Sequence, residues 1–382
     1  MKSRTDRLTV ATLSAGHFIN DAYSNLLSPL LPLLITRVGF SLSKAGLLGG
    51  VLLFSSSLMQ PVYGYLGDRY VRRAFAIYAP LLTAVCMSSL GIASSYTEIL
   101  FLVVLGGVGI AAFHPQGASL VSQASSLRPA FGMSIFVTSG SIGYGLGPTV
   151  VGSLIFSLGL ERSYLAAIPG LVICLLLSRA VPSSLSSIKP KDVIEKDSWG
   201  TVWKPLSLLC LLVVIRSGVQ FGLTQFLPLY FTQQGYSLRE STWFLTIFLL
   251  CGGFGGFWGG YIADRFGGKQ LLSYSMLVSC PMLLAFLHLS GIWSVVSLGL
   301  SGLVLLSTLP VSVVLGQELA PHRTSTVSAL MMGFAWGIGG MAFVPLTGIV
   351  GEMAGLDFAF GLLALLPLAG YLVSLWIPEK KS

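Results

Sequence analysis

Apolar residues come in stretches of about twenty, separated by short polar turns, and this happens twelve times along the chain. The runs fall at 8–36, 43–66, 74–95, 99–124, 131–157, 163–181, 205–232, 241–263, 270–290, 293–317, 324–350 and 358–377. About twenty apolar residues in a helix cross the hydrocarbon core of a bilayer, and there every backbone N–H and C=O must be satisfied within the segment. The pattern therefore predicts an all-α polytopic membrane protein with twelve transmembrane helices.

The first run breaks the pattern. Between Gly16 and Pro32 it carries His17, Asn20, Asp21, Ser24, Asn25 and Ser28. His17, Asp21, Ser24 and Ser28 are spaced four, three and four apart, so a helix puts them on one face. An Asp at mid-membrane depth costs roughly 2.5–3.5 kcal/mol on the insertion scale, so such a residue is retained for a partner, water or a task.

Composition agrees with the pattern. Of 382 residues, 54% are hydrophobic and 9% charged, with a mean hydropathy of +0.83, whereas soluble domains are roughly 25% charged. Cys86, Cys174, Cys210, Cys251 and Cys280 lie within apolar runs without paired or ligand-like spacing, which predicts neither a disulfide framework nor a metal site. The basic start MKSRTDR precedes a run that is long, contains Asp21 and lacks a small-residue cleavage pattern, so it reads as a retained first helix. With both termini placed in the cytoplasm, every one of the 22 Lys and Arg falls on a cytoplasmic segment except Arg37, Lys44, Arg162, Arg239 and the intramembrane Arg216. That asymmetry predicts the orientation, and it accounts for the net charge of +8 without nucleic acid.

The polar interval from Pro182 to Lys204 divides six helices from six. The expected domains are a bundle at 1–182, a cytoplasmic linker at 183–204 and a second bundle at 205–382. The halves repeat at one offset of 196 positions. Leu31-Pro32-Leu33 returns as Leu227-Pro228-Leu229, Gly39 as Gly235, Ser41-Leu42 as Ser237-Leu238, Gly64-Tyr65 as Gly260-Tyr261 and Asp68-Arg69 as Asp264-Arg265. Six is even, so the two bundles share one orientation, as in the parallel repeats of the major facilitator superfamily, where substrate binds near the midplane between the halves.

Several stretches carry candidate chemistry. The turns Gly64 to Arg73 and Gly260 to Lys269 each place small residues and an Asp-Arg pair at the cytoplasmic interface. They resemble the superfamily's cytoplasmic gate, in which Gly64, Asp68, Arg69, Arg73, Gly260, Asp264 and Arg265 would latch the halves. The fifth run contains Gly140, Gly143, Tyr144, Gly147 and Pro148. Glycines at this spacing serve close helix packing, and the segment looks like the antiporter motif of proton-coupled exporters, carried here by Gly143, Gly147 and Pro148. The fourth run has Phe113-His114-Pro115-Gln116, a histidine beside a proline kink and a candidate proton relay. At the offset of 196, Asn20, Ser24 and Ser28 map onto Arg216, Gln220 and Thr224, again one helical face. Arg216 is expected either to pair with Asp21 or to receive an anionic substrate group, and a buried structural ion pair is the plainer reading.

His17 with Asn20-Asp21, Gln60-Pro61 leading to Gly64-Tyr65, Phe113-His114-Pro115, Ser134-Ile135-Phe136, Gly143 to Pro148 and Gln317-Glu318 together resemble the fosmidomycin-resistance branch of the superfamily. The resemblance covers nearly the whole chain. It implies export of small molecules, including antibiotics, in exchange for protons across the bacterial cytoplasmic (inner) membrane. Asp21, His114 and His17 would then couple protons, and Asn20, Ser24, Ser28, Gln116, Tyr144, Arg216, Gln220 and Thr224 would line the substrate cavity. Some relatives have Glu after His-Pro where this chain has Gln116, which moves the proton burden to Asp21 and His114. No phosphate-binding loop of the Gly-rich Lys-Ser/Thr type occurs, so no enzyme, no cofactor and no ATP are expected, and the proton gradient is the expected energy source. A monomer is expected. The alternatives are a metal-ion or siderophore transporter using His17, Asp21 and His114 as ligands, and a non-transporting membrane scaffold.

Overall fold

The computed structural model describes residues 2–66, 72–125, 129–182, 200 and 202–378, and among them every regular element is helical. The interrupted first helix, α1, comprises Lys2–Ser24 and Leu27–Val38. Eleven further helices are long and apolar enough to cross a membrane: α2 Leu42–Leu66, α3 Arg73–Ile92, α4 Tyr96–Ala124, α5 Gly132–Leu158, α6 Leu160–Ala180, α7 Trp203–Gln233, α8 Leu238–Phe266, α9 Gly268–His288, α10 Ile292–Leu319, α11 Thr326–Ala354 and α12 Leu356–Leu375. The periodicity of the sequence is thus realised as an all-α multi-pass protein.

The sequence predicts one unbroken helix over 8–36, but the helix stops at Asn25 and Leu26 and restarts at Leu27. Pro29 is the physical reason. In an unbroken helix it would withhold an N–H from the carbonyl of Asn25 and clash with it, whereas at the third position of a new helix its missing N–H costs nothing. The Ser24 hydroxyl donates back to the carbonyl of Asp21 (2.8 Å), closing the last turn before the break.

The chain divides into two compact units: Met1–Phe40 with Val51–Asp192, and Ser41–Gly50 with Val193–Ser382. In the first, α1 packs chiefly on α5 and also on α3, α4 and α6; in the second, α7 packs on α11 and α12. The pairings α1 with α5 and α3 with α6 therefore recur as α7 with α11 and α9 with α12. The sequence repeat is a repeat of packing. Its turns match as well: Gly39 and Gly235 both have positive φ, 75° and 89°, a conformation open to glycine, where each helix hands over to the next.

The N-caps that follow show one instructive divergence. Ser237 and Glu240 form a capping box at the start of α8. In the first copy Lys44 stands where the second has Glu240, and the first turn of α2 is satisfied differently, the Ser43 amide donating to Glu352 at 2.9 Å within the second unit. Replacing Ser237 with Ala removes the box and is expected to cost about 1 kcal/mol, read as a lowered midpoint of thermal unfolding in detergent.

The first unit's core gathers Leu13, Phe113, Leu120, Val121, Phe136 and Leu177 from α1, α4, α5 and α6. A side chain added at Gly143 or Gly147 would run into the backbone of Phe18 or Ala22. These glycines, four residues apart, let α5 lie directly against α1. That close approach positions the site.

Candidate functional site

Asp21 lies three residues before the end of the first half of α1, with a side chain only 14% exposed. One turn earlier on the same face, His17 brings its Nε2 to 3.2 Å from Asp21 Oδ2. From α4, His114 brings its Nε2 to 3.0 Å from Asp21 Oδ1. The carboxylate is bridged by two imidazoles, and the rings themselves stand edge to face at 4.9 Å.

Both histidines are held from behind by backbone. His17 Nδ1 donates to the carbonyl of Phe136 (2.8 Å), and its ring stacks on the Phe136 ring at 4.1 Å. The absence of a side chain at Gly140 is what leaves room for that ring. His114 Nδ1 donates to the carbonyl of Ile110 (2.7 Å), one turn back in α4. A carbonyl oxygen only accepts, so each Nδ1 carries a hydrogen. In the neutral ring that leaves the Nε2 lone pair facing a carboxylate oxygen, two acceptors about 3 Å apart. Each contact therefore calls for one proton, carried on Nε2 or on the facing carboxyl oxygen.

The neighbours extend this network. Thr83 of α3 donates to Asn20 Oδ1 at 2.9 Å, which turns the Asn20 amide toward Asp21, 3.4 Å away. Tyr144 of α5 lies within electrostatic reach of Asp21. Gln116 is buried and donates to the carbonyl of Tyr63 at 3.0 Å, while its Oε1 is buried without a partner. Ser28 is buried in the second half of α1, past the break, and Ser24 is spent on the helix end. The three donors of His17, Asp21 and His114 also lie within 4.8 Å of one another, a span that one small cation can bridge.

In the second unit, Arg216 is 2% exposed at the middle of α7. Its Nη1 donates to Gln220 Oε1 at 2.7 Å, and its guanidinium lies over the ring of Trp336 of α11, 5.7 Å from the centroid. Thr224, one turn beyond Gln220, is buried on the same stretch of helix. Trp336 belongs to the apolar run 324–350, and nothing in its sequence neighbours signals that it covers a buried base.

Of the gate residues, Asp68 and Arg69 lie outside the described residues. Gly64 sits beside Pro115. Arg73 donates from Nε and Nη2 to the carbonyls of Val181 and Ser178, both at 2.9 Å, so it caps the C-terminal end of α6. Gly260 has open space around it, Asp264 and Arg265 are exposed, and Arg265 lies over Phe266. Gly143 and Gly147 are packing positions against α1, and α5 runs without interruption through Pro148.

A bundle of membrane-spanning helices arranged as two similar sets, with ionisable clusters buried in its helices, has the architecture of a secondary transporter. The chain belongs to the Major Facilitator Superfamily, whose family profile matches residues 13–344. It is 28% identical to the fosmidomycin resistance protein of Escherichia coli K12, over 100% of this chain and 95% of that protein. It is equally 28% identical to YfnC of Bacillus subtilis 168, an uncharacterised transporter of the same type, over 96% and 91% of the two chains. A bacterial homologue of the human lysosomal transporter Spinster shares the fold, with a TM-score of 0.80 at 14% identity over 97% and 96% of the two chains. The protein is a multi-pass transporter of the bacterial inner membrane rather than an enzyme, and its partners are the bilayer and a small-molecule substrate.

Proposed function

We propose that this protein exports small organic molecules, antibiotics among them, in exchange for protons, with His17, Asp21 and His114 as the proton-carrying cluster. The observation that carries the reading is the double bridge on Asp21. Two imidazoles, each tied by Nδ1 to a backbone carbonyl, present Nε2 to one buried carboxylate at 3.0 and 3.2 Å. Such a cluster changes its charge by whole protons without moving its backbone. The full-length likeness to a protein named for fosmidomycin resistance supports export as the direction.

The coupling follows from solvation. Opened to water at low pH, the cluster loads protons; opened at higher pH, it releases them, and each state favours a different conformation of the protein. Both termini then face the cytoplasm, and the two bundles rock in alternating access. One proton moving inward down 100 mV supplies about 2.3 kcal/mol, enough for roughly a fiftyfold substrate gradient.

The test is flux in proteoliposomes with an imposed pH gradient, screened over a mixed panel of antibiotics and metal ions. An organic compound should move against the proton flow, and a protonophore should stop it. His114→Gln, which keeps the size and removes the titrating ring, should lose most of the gradient-driven flux while substrate counterflow continues. Gradient-independent flux in the parent protein would sink the proton reading. Transport of a divalent metal instead of any organic compound would assign the three donors to metal handling.

A further inference from the structure

Arg216 is a buried cation, and among the described residues of its own unit no carboxylate pairs with it. Leaving a charge uncompensated in a membrane interior is costly, so the group is kept for a ligand that meets it. Resting on its being a transporter, we propose that the face formed by Arg216, Gln220 and Trp336 binds the anionic, acceptor-rich head of an organic substrate, a carboxylate or a phosphonate.

The geometry specifies the chemistry. Gln220 Oε1 takes one hydrogen of Nη1, which leaves the Nη2 and Nε edge intact as a fork for bidentate recognition of a planar or tetrahedral oxyanion. With its oxygen turned to Arg216, the Gln220 amide keeps its two N–H donors for a ligand. Trp336 Nε1 is buried with no hydrogen-bond partner. Every polar group left over at this site is thus a donor, and the complementary ligand supplies acceptors and negative charge.

Two further features suit an organic anion over a bare ion. Phe221 and Trp336 stand with ring centroids 5.7 Å apart, an aromatic wall beside the guanidinium. The π-helical turn Leu330–Ala335 comes directly before Trp336 and rotates it relative to a regular helix. Inserting a residue in this way re-aims the side chains that follow, and such turns recur at functional sites.

Binding is measured on the full-length protein in nanodiscs of neutral phosphatidylcholine by isothermal titration, at one pH and without a gradient. The probes are benzoate and phenylphosphonate, each against a neutral partner of like shape, benzamide and benzyl alcohol, with inorganic phosphate alone as a further arm. The anions should bind and the neutral compounds should not. Phosphate should be weaker than phenylphosphonate because it lacks the ring. Arg216→Gln should weaken anion binding about ten- to hundredfold. Trp336→Phe, which keeps the ring and removes the N–H, should weaken it severalfold and serves if the Arg216 variant does not fold. Gly253→Ala, at a position with nothing within 4 Å of an added side chain, should leave anion binding within about twofold, and because no gradient is applied the measurement stands apart from proton coupling. Equal binding of anions and neutral compounds, or unchanged binding in a folded Arg216→Gln protein, would overturn the proposal. So would displacement of both anions by added phosphatidylglycerol, which would assign the site to a lipid headgroup.

Discussion

Asp21→Asn is expected to reduce pH-gradient-driven transport to the level of protein-free vesicles while substrate counterflow continues. Asn has nearly the shape of Asp, and its amide N–H can still donate to the Nε2 of one imidazole. One side of the bridge seen at 3.0 and 3.2 Å therefore survives in outline. What disappears is the negative charge of the carboxylate and, on the proposed mechanism, the coupling of protonation to conformation. Counterflow needs substrate binding and alternation but no net proton movement, so it reports that the protein is folded and cycling. A variant that still concentrates substrate under a pH gradient would remove Asp21 from the mechanism.

Gly143→Val is expected to have an equally large effect by a different route. Even the first carbon of the new side chain would meet the carbonyl of Phe18 in the backbone of α1. Backbone cannot rotate away as a side chain can, so α1 and α5 must separate. Overpacking costs typically about 1–3 kcal/mol where neighbours can adjust, and here the same contact also presents Phe136 to His17. The variant should yield little monodisperse protein, and what remains should melt at lower temperature. Gly253→Val is the control, since nothing lies within 4 Å of a side chain added there. Equal behaviour of the two variants would mean that the α1–α5 contact does not limit stability.

How much of this was legible beforehand differs from residue to residue. His17 and Asp21 are four apart in one helix, so their meeting follows from helical period alone. That His114 joins them requires α1 and α4 to cross at that level, which no local rule supplies. The Nδ1 bonds to Phe136 and Ile110 carbonyls were hidden as well, because acceptors on the backbone leave no mark on residue type. The break after Ser24 had a visible cause in Pro29, but a proline inside an apolar run can kink a helix, end it or be absorbed, and packing selects among these. Arg216 and Gln220 share a face by spacing, whereas Trp336 reaches Arg216 from a helix more than a hundred residues later. No residue type around Trp336 marks the cation beneath it.

By itself the sequence determined the number and class of elements, the repeat and the polar stripe on the first helix. Those properties are periodic and local: twenty apolar residues make a spanning helix wherever they occur, and side chains four apart share its face. The tertiary structure alone decided that the Asp21 carboxylate is shared by two histidines with a committed tautomer, and that Arg216 faces an aromatic ring with no acid from the described residues of its own unit. These depend on the approach of helices distant in the chain, α1 to α4 and α7 to α11, the latter permitted by Gly339 lying against Val214 and Ser217, and an ångström there decides which side chains meet.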